Sequence, residues 1–162
     1  MHIWTLEKWK HKYDFNSSSH RSGLRLIFDK NVHPEVRRSC IEFGVWLRKE
    51  YYFPIRVPIY FKTSRKIKTR DGDFAYGSFF RPSNKDVEPY IRIAVGDYNI
   101  LLEIWANKDN VLSTYLSCMA HELTHYFQWI NDIELTKIGE ERQATIYADY
   151  VVDEYAETRE HP

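Results

Sequence analysis

Residues 111–130 read VLSTYLSCMAHELTHYFQWI, a run without glycine or proline. Asp109 and Asn110 stand just before it, and both residue types cap helices by accepting hydrogen bonds from free backbone N–H groups. Apolar side chains recur at the spacing of one helix face: Leu112, Leu116, Met119, Leu123, Tyr126 and Ile130. The stretch therefore predicts a long helix with one face in the core.

Another face of this helix carries the pattern H-E-x-x-H, formed by His121, Glu122 and His125. Positions four apart lie about one turn apart on one side of a helix, so the two imidazoles can hold one metal ion. Glu122 then projects beside the ion, where a general base takes a proton from a metal-bound water. Gln128 shares the histidine face and is a candidate for contact with substrate or with the ligands.

The motif needs a third ligand, because catalytic zinc has three protein ligands and one open position. The spacing H-E-x-x-H-x-x-G-x-x-H is absent, since Gln128 and Asn131 stand at its last two fixed positions. The remaining candidates are carboxylates on a second helix, expected over residues 139–157.

On that second helix we predict Glu141 as the third ligand, because it lies one turn before the small residue Ala144, on the side expected to pack. Glu140 is the alternative, since helix phase at a terminus is uncertain by a residue or two. Asp149 follows Glu141 by two turns and is a candidate to hold an N–H of a ligand histidine.

These residues resemble the zincin metallopeptidases, specifically the gluzincin branch, in which H-E-x-x-H is completed by a Glu from a following helix. The longer form H-E-L-x-H-x-x-Q, His121 to Gln128, is similar to small bacterial and phage domains such as the ImmA/IrrE-like proteases. In some of those families the ligand Glu directly precedes Ala, and here that position is Gln143. A site completed by Gln143 would hold zinc through two histidines only.

The resemblance implies a zinc-dependent metallopeptidase acting on a peptide or protein. His121, His125 and Glu141 would hold Zn²⁺, and Glu122 would take the proton as zinc-bound water attacks an amide carbonyl. A hydrogen-bond donor would assist at the oxyanion. The donor candidates are Tyr147, Tyr126 and Arg142.

The rest of the chain predicts an α+β fold in a single domain spanning residues 1–162. We expect strands at 24–28, 56–61, 74–80 and 90–95, and further helices at 34–52 and 99–106. Pro58 indicates an edge strand or a bulge, and residues 62–73 are expected to form a loop. Residues 1–20, which end in Ser17, Ser18 and Ser19, are expected to be loosely attached.

The resemblance further implies a minimal zincin-like arrangement of these elements. A small, twisted, mostly antiparallel sheet would pack on the active-site helix, and the ligand-bearing helix would follow. An edge strand, either 74–80 or 90–95, would bind extended peptide by strand addition.

Composition limits the other functional classes. The chain has 162 residues, of which 43% are hydrophobic, enough for one core. No apolar run reaches the roughly 18 residues of a membrane span, and no signal peptide is recognisable, so we expect no membrane partner. Cys40 and Cys118 lie in predicted helices among apolar residues, which indicates reduced thiols and a cytoplasmic protein.

Charge gives no general case for nucleic-acid binding, because the formal net charge is zero. Cations do gather in one run, made of Lys62, Arg65, Lys66, Lys68 and Arg70. Such runs are usually solvated loops, and we expect no nucleic-acid partner. Two alternatives to a peptidase stay open: a catalytically weak or inactive zinc-binding module that binds peptide for regulation, and, less favoured, a nucleic-acid-associated protein.

Overall fold

The helix predicted at residues 111–130 is α4, Lys108–Ile130, in the computed structural model, which describes residues 2–13 and 21–160. Its cap is Asn107, whose side chain accepts a hydrogen bond of 3.1 Å from the backbone N–H of Asn110. Most side chains from Val111 onward are buried, because α4 packs against the sheet and against the other two long helices.

The described chain also contains four more α-helices, one 3-10 helix (Ile3–Thr5) and six strands. The helices are α1 (Trp9–Lys12), α2 (Pro34–Glu50), α3 (Tyr98–Trp105) and α5 (Lys137–Glu160). The strands are β1 (Leu24–Phe28), β2 (Val57–Lys62), β3 (Ile67–Lys68), β4 (Phe74–Ala75), β5 (Gly77–Phe80) and β6 (Tyr90–Ala94). The predicted helices and the strands at 24–28, 56–61 and 90–95 are thus confirmed, with ends that differ by at most three residues.

The main sheet is mixed, in the order β1-β2-β6-β5, so the expectation of a mostly antiparallel sheet was wrong. β1 pairs with β2 and β2 pairs with β6 in parallel, while β5 pairs with β6 antiparallel. The reason is that α2 connects β1 to β2, and a crossover through a helix returns the chain in the same direction. The result is a small α+β fold with a mixed sheet.

The strand expected at 74–80 is split by a bend at Tyr76. Its first part, β4, pairs with β3 in a separate two-stranded hairpin, so the segment 62–73 is not all loop. Its second part, β5, joins the main sheet as an edge strand.

The edge expected at Pro58 was wrong, because β2 lies between β1 and β6. Pairing with β6 begins one residue later, at Ile59, so the residue without an N–H is paired with β1 alone.

The N-terminal residues 2–13 are packed on α4 rather than loosely attached as expected. Trp4 is 2% exposed, and its Nε1–H donates to Thr124 Oγ1 at 2.9 Å. The backbone N–H of Trp9 donates to Asn131 Oδ1 at 3.3 Å. Burial of a large indole with its N–H satisfied outweighs the polar character of the segment. The loose connection expected at residues 17–19 lies outside the described residues.

The two faces of the main sheet differ. The inner face packs on α2 and α4 and includes Ile59, Phe61, Ile91 and Ile93, all 0% exposed. The alternate residues, among them Tyr60, Tyr90 and Arg92, point to the opposite side, which we call the outer face.

Cys40 and Cys118 are both free thiols in helices, as expected. Among the described helices, none combines the length and apolarity that a bilayer crossing requires.

Candidate metal centre

Three predicted site residues converge where α4 and α5 meet. The ligand atoms of His121, His125 and Glu141 all lie within 4.8 Å of one another. The two carboxylate oxygens of Glu141 each face one ring: Oε2 is 3.1 Å from His121 Nε2, and Oε1 is 3.1 Å from His125 Nε2. The spacing of four residues brings the imidazoles together, and the packing of α5 on α4 brings the carboxylate to them.

The alternatives for the third position have other partners. Glu140 Oε1 accepts a hydrogen bond of 3.1 Å from Arg81 Nη1, and Gln143 Oε1 accepts one of 2.9 Å from Gln128 Nε2. The helix phase explains the difference. α5 packs through Ala144 and Ala148, and Glu141 lies one turn before Ala144 on the same side.

Gln128 fixes the orientation of His125. Its Nε2 donates to the backbone carbonyl of Glu140 at 3.0 Å, and a carbonyl can only accept, so the amide orientation is determined. Gln128 Oε1 must then accept the Nδ1–H of His125, at 2.8 Å. With Nδ1 carrying a proton, neutral His125 has its lone pair on Nε2, which faces the cluster.

Glu122 lies beside the cluster and is only 7% exposed. Burial, together with the nearby charge of Glu141, raises its pKa to about 8. Strand β5 passes very close to it at Gly77. A Cβ at Gly77 would lie 2.7 Å from Cys118 Sγ and 3.2 Å from Glu122 Cγ, so a side chain at this position would displace both groups or move the strand away from α4.

Sequence reasoning missed Gly77, although an isolated glycine inside a strand pattern is a signal of close backbone approach.

The cluster lies in a cleft of about 1030 Å³. Its lining includes residues of β5, of α4 and of the first turns of α5. The β3–β4 hairpin contributes residues 69–71 and Ala75. Four cations of the lining were not predicted as site residues, because they come from separate parts of the chain: Arg70, Arg81, Arg92 and Lys137.

Several expected site residues lie elsewhere. Asp149 is exposed, and within the described chain neither ligand histidine has it as a hydrogen-bond partner. Tyr126 is fully buried, and its hydroxyl donates to the Ile55 carbonyl at 2.6 Å. Tyr147 packs against His2, with ring centroids 5.0 Å apart. Neither Tyr147 nor Arg142 lines the cleft.

The donor set fits a metal ion of the zinc type, which takes imidazole nitrogen and carboxylate oxygen. Burial, followed by the neighbouring His125, keeps the pKa of His121 below its ordinary value, so its neutral form is favoured near pH 7. No protein-family model, curated protein or solved structure matches this chain.

Proposed function

We propose that this protein is a zinc-dependent metallopeptidase that hydrolyses peptide bonds in a peptide or protein substrate. The observation that carries the proposal is the convergence of His121, His125 and Glu141 beside a buried Glu122. A site that only stabilised the fold would have no use for an additional carboxylate at that place.

Each residue has a role that follows from its surroundings. His121, His125 and Glu141 would hold zinc, which supplies Lewis acidity to water and to a carbonyl oxygen when it is bound. Glu122 takes a proton from the attacking water and passes it to the leaving amine. Burial and the charge of Glu141 favour the protonated form of Glu122 in the metal-free protein, and the positive charge of a bound ion would favour the carboxylate form that must accept the proton.

The edge strand β5 supports a peptide as the substrate class. Within the described sheet, β5 is paired only with β6, so one side of its backbone is free to bind an extended chain. The same strand lines the cleft beside Glu122. An added strand would therefore lie next to the catalytic group.

The second candidate function is a zinc-binding module that binds peptide without cutting it. It is favoured by one observation: Tyr147, Tyr126 and Arg142, the expected oxyanion donors, do not line the cleft. For either function we propose a reducing compartment such as the cytoplasm, because both cysteines are free.

The test combines elemental analysis of the purified protein with hydrolysis of an unstructured fluorescent protein substrate. We expect one zinc per chain, and Glu122→Gln should keep the zinc while hydrolysis falls by about 10²–10⁴-fold. Glu141→Ala should weaken zinc binding, whereas Glu140→Gln, a neighbouring acid that bonds Arg81, should not. Zinc without hydrolysis in the unchanged protein would support the binding module. No zinc after supplementation would contradict both functions.

A further inference from the structure

The edge strand β5 presents its side chains to two different environments. Gly77 and Phe79 face α4, since a Cβ at Gly77 would touch Cys118 and the Phe79 ring lies 6.2 Å from that of Trp129. Ser78 and Phe80 therefore lie on the outer face of the sheet. An extended chain added along β5 would alternate in the same way, so every second side chain would point to the outer face.

Two arginines stand over this outer face at the positions of Ser78 and Phe80. Arg92 of β6 is in register with Ser78 of the edge strand, and both residues line the cleft. The guanidinium of Arg70 lies 4.4 Å from the centre of the Phe80 ring. Both arginines line the same cleft as the metal cluster.

Neither of these arginines has a carboxylate partner within the described residues, in contrast to Arg81, which pairs with Glu140 at 3.1 Å. Arg92 Nη2 donates to the backbone carbonyl of Lys68 at 3.0 Å. Arg92 Nε is buried and has no hydrogen-bond partner among the described groups. A buried donor without an acceptor is costly, and a carboxylate is the strongest acceptor for a guanidinium.

We propose that the cleft selects a peptide with two acidic residues separated by one residue, bound as an added strand on β5. The inference rests on the peptide substrate proposed above and names its chemistry. Strands in a sheet are about 4.8 Å apart, so the added strand would lie two strand spacings from β6. A Glu opposite Ser78 on the added strand could therefore meet the long side chain of Arg92 over Ser78. The residue two positions along the added strand would lie opposite Phe80, where it could meet Arg70.

The aromatic rings of the outer face favour a peptide over nucleic acid. Phe80 and Tyr90 are stacked on each other at 4.9 Å, and Tyr60 contacts Tyr90 edge-on at 6.1 Å. Arg70 covers Phe80, and the Lys62 amine lies 5.7 Å from the centre of the Tyr60 ring. Binding of single strands uses ring faces that are free to stack on bases, and these rings are already engaged.

The test measures the binding of short fluorescent peptides to the Glu122→Gln variant, which is not expected to cut them. A Glu-x-Glu peptide should bind about a hundredfold more tightly than Gln-x-Gln, at about tenfold for each charged pair. A Glu-Glu peptide of equal charge should bind less tightly than Glu-x-Glu, because adjacent side chains of a strand point to opposite faces.

Variants assign the preference to the two arginines. Arg70→Gln and Arg92→Gln should each reduce the preference for Glu-x-Glu about tenfold. The double variant Arg70→Glu/Arg92→Glu should prefer Lys-x-Lys, a gain that a misfolded protein cannot show. Lys8→Gln/Lys49→Gln removes two exposed charges that do not line the cleft, and it should leave the preference unchanged.

Three results would overturn the proposal: equal binding of Glu-x-Glu and Gln-x-Gln, equal binding of Glu-x-Glu and Glu-Glu, or a preference that survives in the arginine variants. Tighter binding of an oligothymidylate, lost in the same variants, would assign the face to single-stranded nucleic acid instead. The measurement needs neither zinc nor hydrolysis. A peptide preference without activity would therefore refute only the peptidase, and activity without this preference would refute only the substrate pattern.

Discussion

The two helices that build the candidate metal centre contribute to it in different ways. α4 buries fifteen of its residues and places His121 and His125 four positions apart on a helix held from several sides. α5 buries only one narrow stripe, and Glu141, the third residue of the cluster, stands near the first turn with a side chain 55% exposed. One half of the site is therefore part of the core, and the other half is brought to it by the docking of a surface helix.

The largest expected difference between the two halves is in zinc affinity. Substitution of a residue that only hydrogen-bonds to a ligand lowers metal affinity by roughly 10–100-fold. His125→Ala should lower zinc affinity by more than this, because it removes a proposed ligand whose imidazole is buried and held by Gln128. Glu141→Ala should cost less, since water can reach the exposed position that the carboxylate leaves. Competition with a zinc-binding dye measures both affinities, and an equal loss in the two variants would remove the distinction.

Stability offers the next comparison, between a core residue of α4 and an exposed residue of α5. Leu123 is 0% exposed, so Leu123→Ala should lower the free energy of unfolding by about 2–5 kcal/mol. Ile146 is 65% exposed, so Ile146→Ala should change it by no more than about 0.5 kcal/mol. Urea unfolding of the metal-free protein gives both values. If Ile146→Ala lowers the free energy of unfolding by more than about 1 kcal/mol, roughly twice that limit, then Ile146 makes contacts beyond those within the described chain.

The last expected effect is a dependence of stability on pH, which couples the two helices through Glu122 and Glu141. Folding raises the pKa of Glu122 from 4.5 to about 8, first by burial and then by the charge of Glu141. The group therefore contributes stability below pH 4.5, and this contribution is lost as pH rises through about 8. In the metal-free protein, this group should make the free energy of unfolding fall by at most about 1.4 kcal/mol for each pH unit of increase. Glu122→Gln should remove that fall.

The matched control for this pH effect is Asp149→Asn, which removes an exposed acid of α5 that does not line the cleft. Thermal or urea unfolding between pH 4.5 and 8 gives the profiles. If Glu122→Gln and the unchanged protein have parallel profiles, Glu122 is not held in its protonated form by the fold.

The same contrast explains what could be read from the sequence. The position of α4 and the proximity of His121 and His125 follow from local periodicity, which is written in consecutive residues. The choice among Glu140, Glu141 and Gln143 depends on how α5 rotates against α4, and only the packing of Ala144 and Ala148 decides it. The local sequence pattern alone therefore could not decide which of these three residues completes the cluster with the two histidines.

Sheet topology shows the same limit. The strand and helix segments at 24–28, 34–52 and 56–61 were recognised, and a helix between two strands already indicates a parallel pair. The break at Tyr76 was not predicted: Gly77 signals a bulge or a close approach inside the strand pattern, but the change of sheet is a tertiary event. The sequence places Gln128 on the same helix face as the two histidines. Its hydrogen bond to Gln143 could not be predicted, because that bond depends on how α5 packs on α4.

The exposure of Glu141 has a kinetic consequence. If the proposed zinc is bound, one of its three protein ligands can leave by fraying of the first turns of α5, an opening far smaller than unfolding of the domain. Exchange of the ion with a chelator would then depend on chelator concentration and on the local stability of that helix end. Zinc occupancy in such a protein would respond to supply within the lifetime of the folded chain.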